Sequence, residues 1–383
     1  MRQRVFGWVE SIVATRPGAQ EVLIRSDLDD ALSSASARAR EFAAPRRALN
    51  LVSLCGTLHI GDRVLLNTVA VEMRLGTGGL DFVIGKMDGA SDLPEVPGHI
   101  MKLRYTPLQI PILAVEAPES PHHASLVSAS ELNDLPVVCA ELHSQVPAIC
   151  AAARWAMQHG MMTRPVRIVY IMTDGAALPL ALSRLAPEMK SRGLVDVTIT
   201  CGHAFGGDYE AVNLYSALLA AREVAKADLV VVAQGPGNVG TGTRLGFSGV
   251  DQGLAVNATA SLGGVPIVAA RISFADSRER HQGLSHHTVT VLKHIAHARA
   301  FLALPRLAER ESKIVEAALF AHGIFDRHDP VTVDAEEALT ALIASGIAVT
   351  TMGRTIQEER PFFLAASAAG VLAAQLAEAQ LLA

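Results

Sequence analysis

The sequence predicts an α/β protein: a doubly wound, mostly parallel, Rossmann-like sheet preceded by a small β-barrel-like domain. Three observations carry this. In the C-terminal two thirds, near-continuous apolar runs alternate with helical stretches, the pattern of parallel strands covered on both faces. In the N-terminal part, short runs rich in Val and Leu are punctuated by Gly and Asp. Between them Asp92–Asp134 is rich in Pro and Ser, with Pro94, Pro97, Pro107, Pro111, Pro118 and Pro121. Domains are therefore expected over residues 1–115 and 135–383, joined by a linker over 116–134. A length of 383 residues also exceeds what one hydrophobic core usually serves.

In the first domain, strands Val5–Val13 and Glu21–Ile24 flank the turn Arg16-Pro-Gly-Ala19. Ala48–Leu54, Arg63–Leu75 and Asp81–Ile84 follow, separated by the turns Ile60-Gly-Asp62 and Gly76-Thr-Gly-Gly79. Asn67 and Thr68 are unusual inside a strand, and Asp27–Phe42 reads as a weak helix. In the second domain the expected strands are Val137–Leu142, Val166–Met172, Asp196–Cys201, Asp228–Ala233 and Val265–Ile272. Helices Gln145–His159, Leu178–Arg192, Tyr209–Ala225, Gly249–Leu262 and Ser285–Ala298 alternate with them. The tail adds strands at Ala300–Leu304, Val331–Val333 and Ile347–Met352 and helices at Ser312–His322 and Ala335–Ala344, then a last apolar helix. It either extends the sheet or forms an appended lobe.

Composition excludes several function classes. A net charge of -5 and a pI near 6.3 argue against a nucleic-acid or anionic-membrane surface, and 4% aromatic residues leave few stacking platforms. Four cysteines, Cys55, Cys139, Cys150 and Cys201, form no CxxC pair and no zinc-finger spacing, which suits a reducing cytoplasm. The basic start reaches Glu10 before a signal-type apolar run develops. The apolar tail Pro361–Ala374 is shorter than the roughly 20 residues of a membrane span. A buried helix or a subunit contact in a homo-oligomer accounts for it.

In a parallel sheet the five strand-to-helix turns share one edge, where ligands bind in such folds. These turns hold the polar residues. The most distinctive is the connection after the fourth strand, about fifteen residues long against the usual 2–6. Gly235, Gly237, Gly240 and Gly242 leave backbone N–H groups accessible to an anion, with Asn238, Thr241 and Thr243 as polar neighbours. It formally matches GxGxxG, but no helix starts there, and no lysine makes it a Walker A loop. The alternative is a structural loop packed tightly against a neighbour.

His203, Asp208 and Glu210 follow the third strand, and His281, His286 and His287 follow the fifth. Mixed imidazole and carboxylate ligands suit a divalent metal, with His203, Asp208 and His281 as its candidate ligands. Equally, the paired histidines cap a helix, where they stay neutral, or donate to a substrate. Asp174 is a general base or hydroxyl acceptor on one reading and an Asx-turn residue on the other. Cys201 reads as inert core. Arg271, Arg278 and Arg280, with Ser273, are candidate carboxylate or phosphate clamps, surface salt bridges being the alternative for the arginines. Lys102 and Arg104 share one side of an extended stretch that forms a flap or a linker.

Gly61-Asp-Arg-Val-Leu-Leu-Asn-Thr68, Gly98-His-Ile-Met-Lys-Leu-Arg-Tyr-Thr-Pro107, Met172-Thr-Asp-Gly-Ala-Ala177 and Cys201-Gly-His-Ala-Phe-Gly-Gly-Asp208 form a distinctive combination. With Gly235-Pro-Gly-Asn-Val-Gly-Thr-Gly-Thr243 and His281-Gln-Gly-Leu-Ser-His-His287, they resemble an uncharacterised bacterial family, a domain of unknown function, over nearly the whole chain. The resemblance implies a bacterial cytoplasmic protein and no assigned activity, so it transfers no functional residue. The fourth βα unit also resembles the Gly-Pro turn of amino-acid reductase subunits, without the redox residues expected there. The functional expectation is an enzyme binding a small anionic metabolite, phosphorylated or carboxylated, or a nucleotide, at the sheet edge. Asp174, His203, Asp208 and His281 would serve catalysis. The alternative is a non-catalytic sensor that signals through its β domain to a partner.

Overall fold

A computed structural model describes residues 4–27, 45–88, 96, 98–161 and 166–382. The chain divides into two compact units, Met1–Pro97 with Leu103–Pro111, and Gly98–Lys102 with Ile112–Ala383. The predicted helix Asp27–Phe42 lies, beyond Asp27 itself, outside the described residues.

The first unit is a closed barrel of β1 (Arg4–Arg16), β2 (Ala19–Ser26), β3 (Arg46–Leu51), β4 (Arg63–Asn67) and β5 (Asp81–Lys86), in the order β1-β2-β3-β5-β4. Along β1, Val5, Gly7 and Val9 point inward and Arg4, Phe6, Trp8 and Glu10 outward, the period of two a barrel wall requires. Register shifts between Val9 and Ser11 and between Ile12 and Ala14 bend β1, so that one strand pairs with both β2 and β4. Closure is completed by the parallel β3–β5 pair, which the Arg46–Asp81 ion pair bridges at 2.5 Å. The expected strand Arg63–Leu75 ends early, at Asn67. The Asn67 side chain accepts from the Val69 N–H at 3.1 Å and Thr68 Oγ1 donates to Glu72, turning the chain into the short helix Val69–Glu72.

Strands β6 (Ile100–Lys102) and β7 (Ile110–Ile112) lie where the chain passes between units. The second unit is built on eight strands: β8 (Pro136–Cys139), β9 (Ile168–Thr173), β10 (Val197–Thr200), β11 (Tyr209–Glu210), β12 (Leu229–Gln234), β13 (Val265–Ala269), β16 (Phe301–Pro305) and β17 (Asp329–Val333). A small antiparallel pair, β14 (Ile272–Ser273) and β15 (Gly283–Leu284), follows β13. The sheet order is β11-β10-β9-β12-β8-β13-β16-β17, and every pairing in it is parallel. The tail therefore extends the sheet through β16 and β17. Ile347–Met352 is not a strand: Ile347 and Val349 are buried in the core beside helix Glu336–Ala344, so their alternation reflects packing rather than pairing. Tyr209 and Glu210, expected in a helix, instead pair with β10, and the helix Leu214–Glu223 starts after the Asn213 cap.

Helices cover both faces. Val146–Ala156, Leu185–Ser191, Glu336–Ala344 and the terminal helix Arg360–Leu382 pack on one, while Leu214–Glu223, Asp251–Ser261 and Glu309–Ala321 pack on the other. The apolar tail segment lies inside a 23-residue helix, longer than the sequence suggests. That helix is long and apolar enough to cross a membrane, yet 78% of its most apolar window is buried in the core. A Cβ at Gly370 would lie 2.1 Å from the Ile149 carbonyl, so glycine lets this helix touch Val146–Ala156 at backbone distance.

Candidate functional site

The chain leaves β8 toward β9 on one side and crosses from β12 over β8 to β13 on the other. The ends of β8, β12 and β13 thus frame a region at the C-terminal edge where the winding reverses, the place where open parallel sheets bind ligands. One residue from each meets in it. Glu141, just past β8, is 1% exposed, and its Oε1 accepts from His287 Nδ1 at 2.5 Å, Arg271 Nη1 at 3.1 Å and Asn238 Nδ2 at 3.2 Å. Its Oε2 is buried with no protein partner. Burial alone would raise its pKa, but the His287 hydrogen bond and the Arg271 charge outweigh that and hold it below the usual carboxylate range. A Cβ at Gly249 would lie 2.6 Å from Glu141 Cγ, so glycine makes room for this carboxylate.

The β14–β15 pair pinches off the loop carrying His281 and folds it back over the helix His286–Thr290. Ser285 caps that helix and also meets His281 Nδ1 at 2.8 Å. Ring nitrogens of His281, His286 and His287 consequently lie within 4.8 Å of one another. Phe247 stacks flat on His287 at 3.8 Å. His286 Nε2 is buried without a partner. Desolvation, aided by nearby arginines and His287, pushes the pKa of His281 down to about 3; desolvation with His287 and Arg280 pushes His286 down to about 4. Both rings are therefore neutral at pH 7.

A second group lies at the ends of β9 and β12. Thr173 Oγ1 donates to Asp251, whose carboxyl is raised by burial and by the Asp174 charge. Asp174 accepts from the His203 N–H at 2.8 Å. Gln234 links the groups: its Nε2 donates to the Glu141 carbonyl at 2.9 Å, while its Oε1 is buried without a partner. Side-chain and backbone contacts thus run along this edge from the histidine cluster through Glu141 and Gln234 to Asp251, Asp174 and the backbone of His203.

Other expected residues are placed differently. Asp208 accepts from Thr198 N and Oγ1 at 2.8 and 2.9 Å and pairs with Lys190, so its carboxylate ties the turn after β10 back to that strand. Among the described residues, His203 and Asp208 do not join His281 in a cluster of ligating atoms; His286 and His287 do. Arg278 is held by Asp276 in two bonds of 2.8 and 2.7 Å, and Ser273 Oγ accepts from the Asp276 N–H at 3.1 Å. Arg271 lies inside, on Glu141. Arg280 is exposed and, among the described residues, forms no salt bridge.

The glycine loop folds on itself. Gly240 and Phe247 form a bridge, the Thr241 N–H donates to Gly246 O at 2.8 Å, and Thr241 and Thr243 share a 2.9 Å hydroxyl contact. Gly235 packs against the Ala177 carbonyl, and Gly237 and Gly242 take φ of 100° and 78° at turns. Lys102 is fully buried in the second unit, donating to the carbonyls of Thr200 and Ala204 and to Glu210, so it anchors the turn after β10. Cys201 is buried and its thiol is raised by desolvation, as inert core requires.

Sequence reasoning missed Glu141, Gln234 and Asp251. Glu141 carried a usable signal, because a carboxylate inside an apolar strand run is costly unless it is paired. Asp251 carried none, since an acid in the first turn of a helix is ordinary.

A family model described as "Protein of unknown function (DUF3866)" matches residues 47–370. No curated protein and no solved structure matches the chain.

Proposed function

The chain belongs to that family of proteins of unknown function, and from the geometry of the sheet edge we propose that it is an enzyme acting on a small anionic metabolite, carboxylated or phosphorylated. The observation that carries this is the group of titratable and polar side chains gathered at the switch point. It contains three buried polar atoms without a partner, Glu141 Oε2, His286 Nε2 and Gln234 Oε1. Such atoms occur elsewhere in the chain too, but these three lie along one sheet edge, where a ligand can complete them. Asp251 is the proton-transfer residue, its carboxyl raised by burial and by the neighbouring Asp174 charge. Arg280 attracts the anion at the rim, and the neutral histidines inside donate to it or accept from it. The four free, buried cysteines support a reducing, cytoplasmic setting.

The test is the melting temperature of the full chain against panels of phosphates, nucleotides and carboxylates. A ligand at a hundred times its Kd stabilises by about 2.7 kcal/mol, which moves melting by several degrees. One class should shift the transition, Arg280→Ala should weaken that shift, and mass spectrometry should show the ligand converted by the wild type but not by Asp251→Asn. Binding without conversion would favour the non-catalytic sensor, and no shift from any class would remove the anion site.

A further inference from the structure

We propose that His281, His286 and His287 bind one divalent transition-metal ion of the zinc class through their Nε2 atoms, with Glu141 and Ser285 orienting the ligands. The proposal deepens the reading above, resting on it for the location of the ligand site. Three imidazoles presented together suit Zn, Co, Ni, Cu or Fe and not the oxygen-seeking Mg or Ca. Nitrogens on a tetrahedral ion at about 2.0–2.1 Å lie about 3.3 Å from one another. One ring nitrogen from each histidine already lies within 4.8 Å of those of the other two, so adjustments of the rings by about an ångström or more bring the set to a common ion.

Partner chemistry selects the nitrogen each ring offers. His287 Nδ1 faces a carboxylate oxygen that also receives Arg271, so this nitrogen carries the proton and Nε2 keeps its lone pair. A carboxylate behind a ligating imidazole is the common outer shell of such metals. His281 Nδ1 is occupied by Ser285 Oγ, which leaves its Nε2. His286 supplies the independent sign: its Nε2 is buried and satisfied by no protein atom. Arg271 Nη1 comes within 3.3 Å of His287 Nδ1, and Glu141, which contacts both, offsets the buried positive charge that would oppose a metal. Three protein ligands leave a fourth position open to water or to an anionic substrate, the arrangement of a catalytic rather than a structural zinc.

The full-length protein, stripped by chelator and titrated with Co²⁺ alone, tests this. One ion per chain should bind, with visible d–d bands characteristic of tetrahedral nitrogen coordination, and Zn²⁺ should displace it. His281→Ala and His286→Ala should each weaken binding at least a hundredfold, and Glu141→Gln should weaken it about 10–100-fold. Replacement of the exposed His322 should leave it unaltered, with far-ultraviolet circular dichroism confirming that each variant is folded. Absence of stoichiometric Co²⁺ binding, or binding indifferent to His281→Ala and His286→Ala, overturns the site. Melting shifts measured with anions on the stripped protein separate the two readings. Such shifts without metal binding leave the anion enzyme standing and remove only the metal.

Discussion

At the scale of single residues, the second unit's chemistry is governed by how buried polar groups are satisfied. Glu141 and Arg271 are both inside, at 1% and 4% exposure, so neither is tolerable without the other. Removing one partner from such a pair costs about 3–5 kcal/mol, while removing both together is often close to neutral. We therefore expect Glu141→Gln and Arg271→Met each to lower the urea midpoint strongly and the double variant to recover much of the loss. Additive losses would mean that the two groups are not coupled.

His143 belongs to the same scale. It sits between Tyr170 Oη at 2.9 Å and Ser183 Oγ at 2.6 Å, and burial pushes its pKa down to about 4. The unfolded chain takes up this proton near pH 6.5, before the folded one does. The stabilisation is thus fully present above pH 6.5 and is lost as pH falls toward 4. Between pH 7 and pH 5 the loss from this group is about 2 kcal/mol. The variant His143→Gln, unfolded in urea at both pH values, should show a pH dependence smaller by about that amount. An unchanged dependence would show that the ring is protonated while folded.

At the scale of elements, the turn after β10 is held from outside by a lysine. Lys102 satisfies the Thr200 and Ala204 carbonyls and the Glu210 carboxylate at once. Lys102→Met would strip the Ala204 carbonyl of its donor, at about 1–3 kcal/mol, while the Thr200 carbonyl keeps the Ala211 N–H and Glu210 keeps Thr200 Oγ1 and the Gly206 N–H. Hydrogen exchange across residues 201–210 should then accelerate, while β12 and β8 stay protected. Uniform exchange over the whole unit would show instead that Lys102 supports global stability.

Elements also show why boundaries read from sequence shift. Asn67 and Thr68 stand out inside an apolar run, and they are the residues that bend the chain into Val69–Glu72. Ile347 and Val349 alternate like a strand but pack on a helical layer, because burial alone produces the same spacing whether or not a neighbouring strand is there to pair.

At the scale of the molecule, the terminal helix Arg360–Leu382 is part of the core. Phe362, Phe363, Val371 and Leu372 are buried against β-sheet and helix Val146–Ala156. A chain ending at Glu359 should lose the cooperative unfolding transition of the larger unit in calorimetry. A shortened chain melting at the original temperature would show the helix to be an accessory.

The sequence by itself determined the fold class. Period-two alternation and continuous apolar runs are local consequences of one-sided and two-sided burial, and both survive in a single chain read linearly. It also determined that the strand-to-helix turns, with their histidines, acids and glycines, share one sheet edge, because parallel connection forces alternate turns to one side. Tertiary structure alone decided which polar residues meet. Strand order brings β8, β12 and β13 together and so puts Glu141, Asn238 and Arg271, spread over 131 positions, in one hydrogen-bonded group. It gathers His281, His286 and His287 while binding Asp208 to its own strand. Hydrogen bonds reach about 3 Å whatever the separation along the chain. Which partners come within that reach follows from the order of strands in the sheet, and no local pattern encodes it.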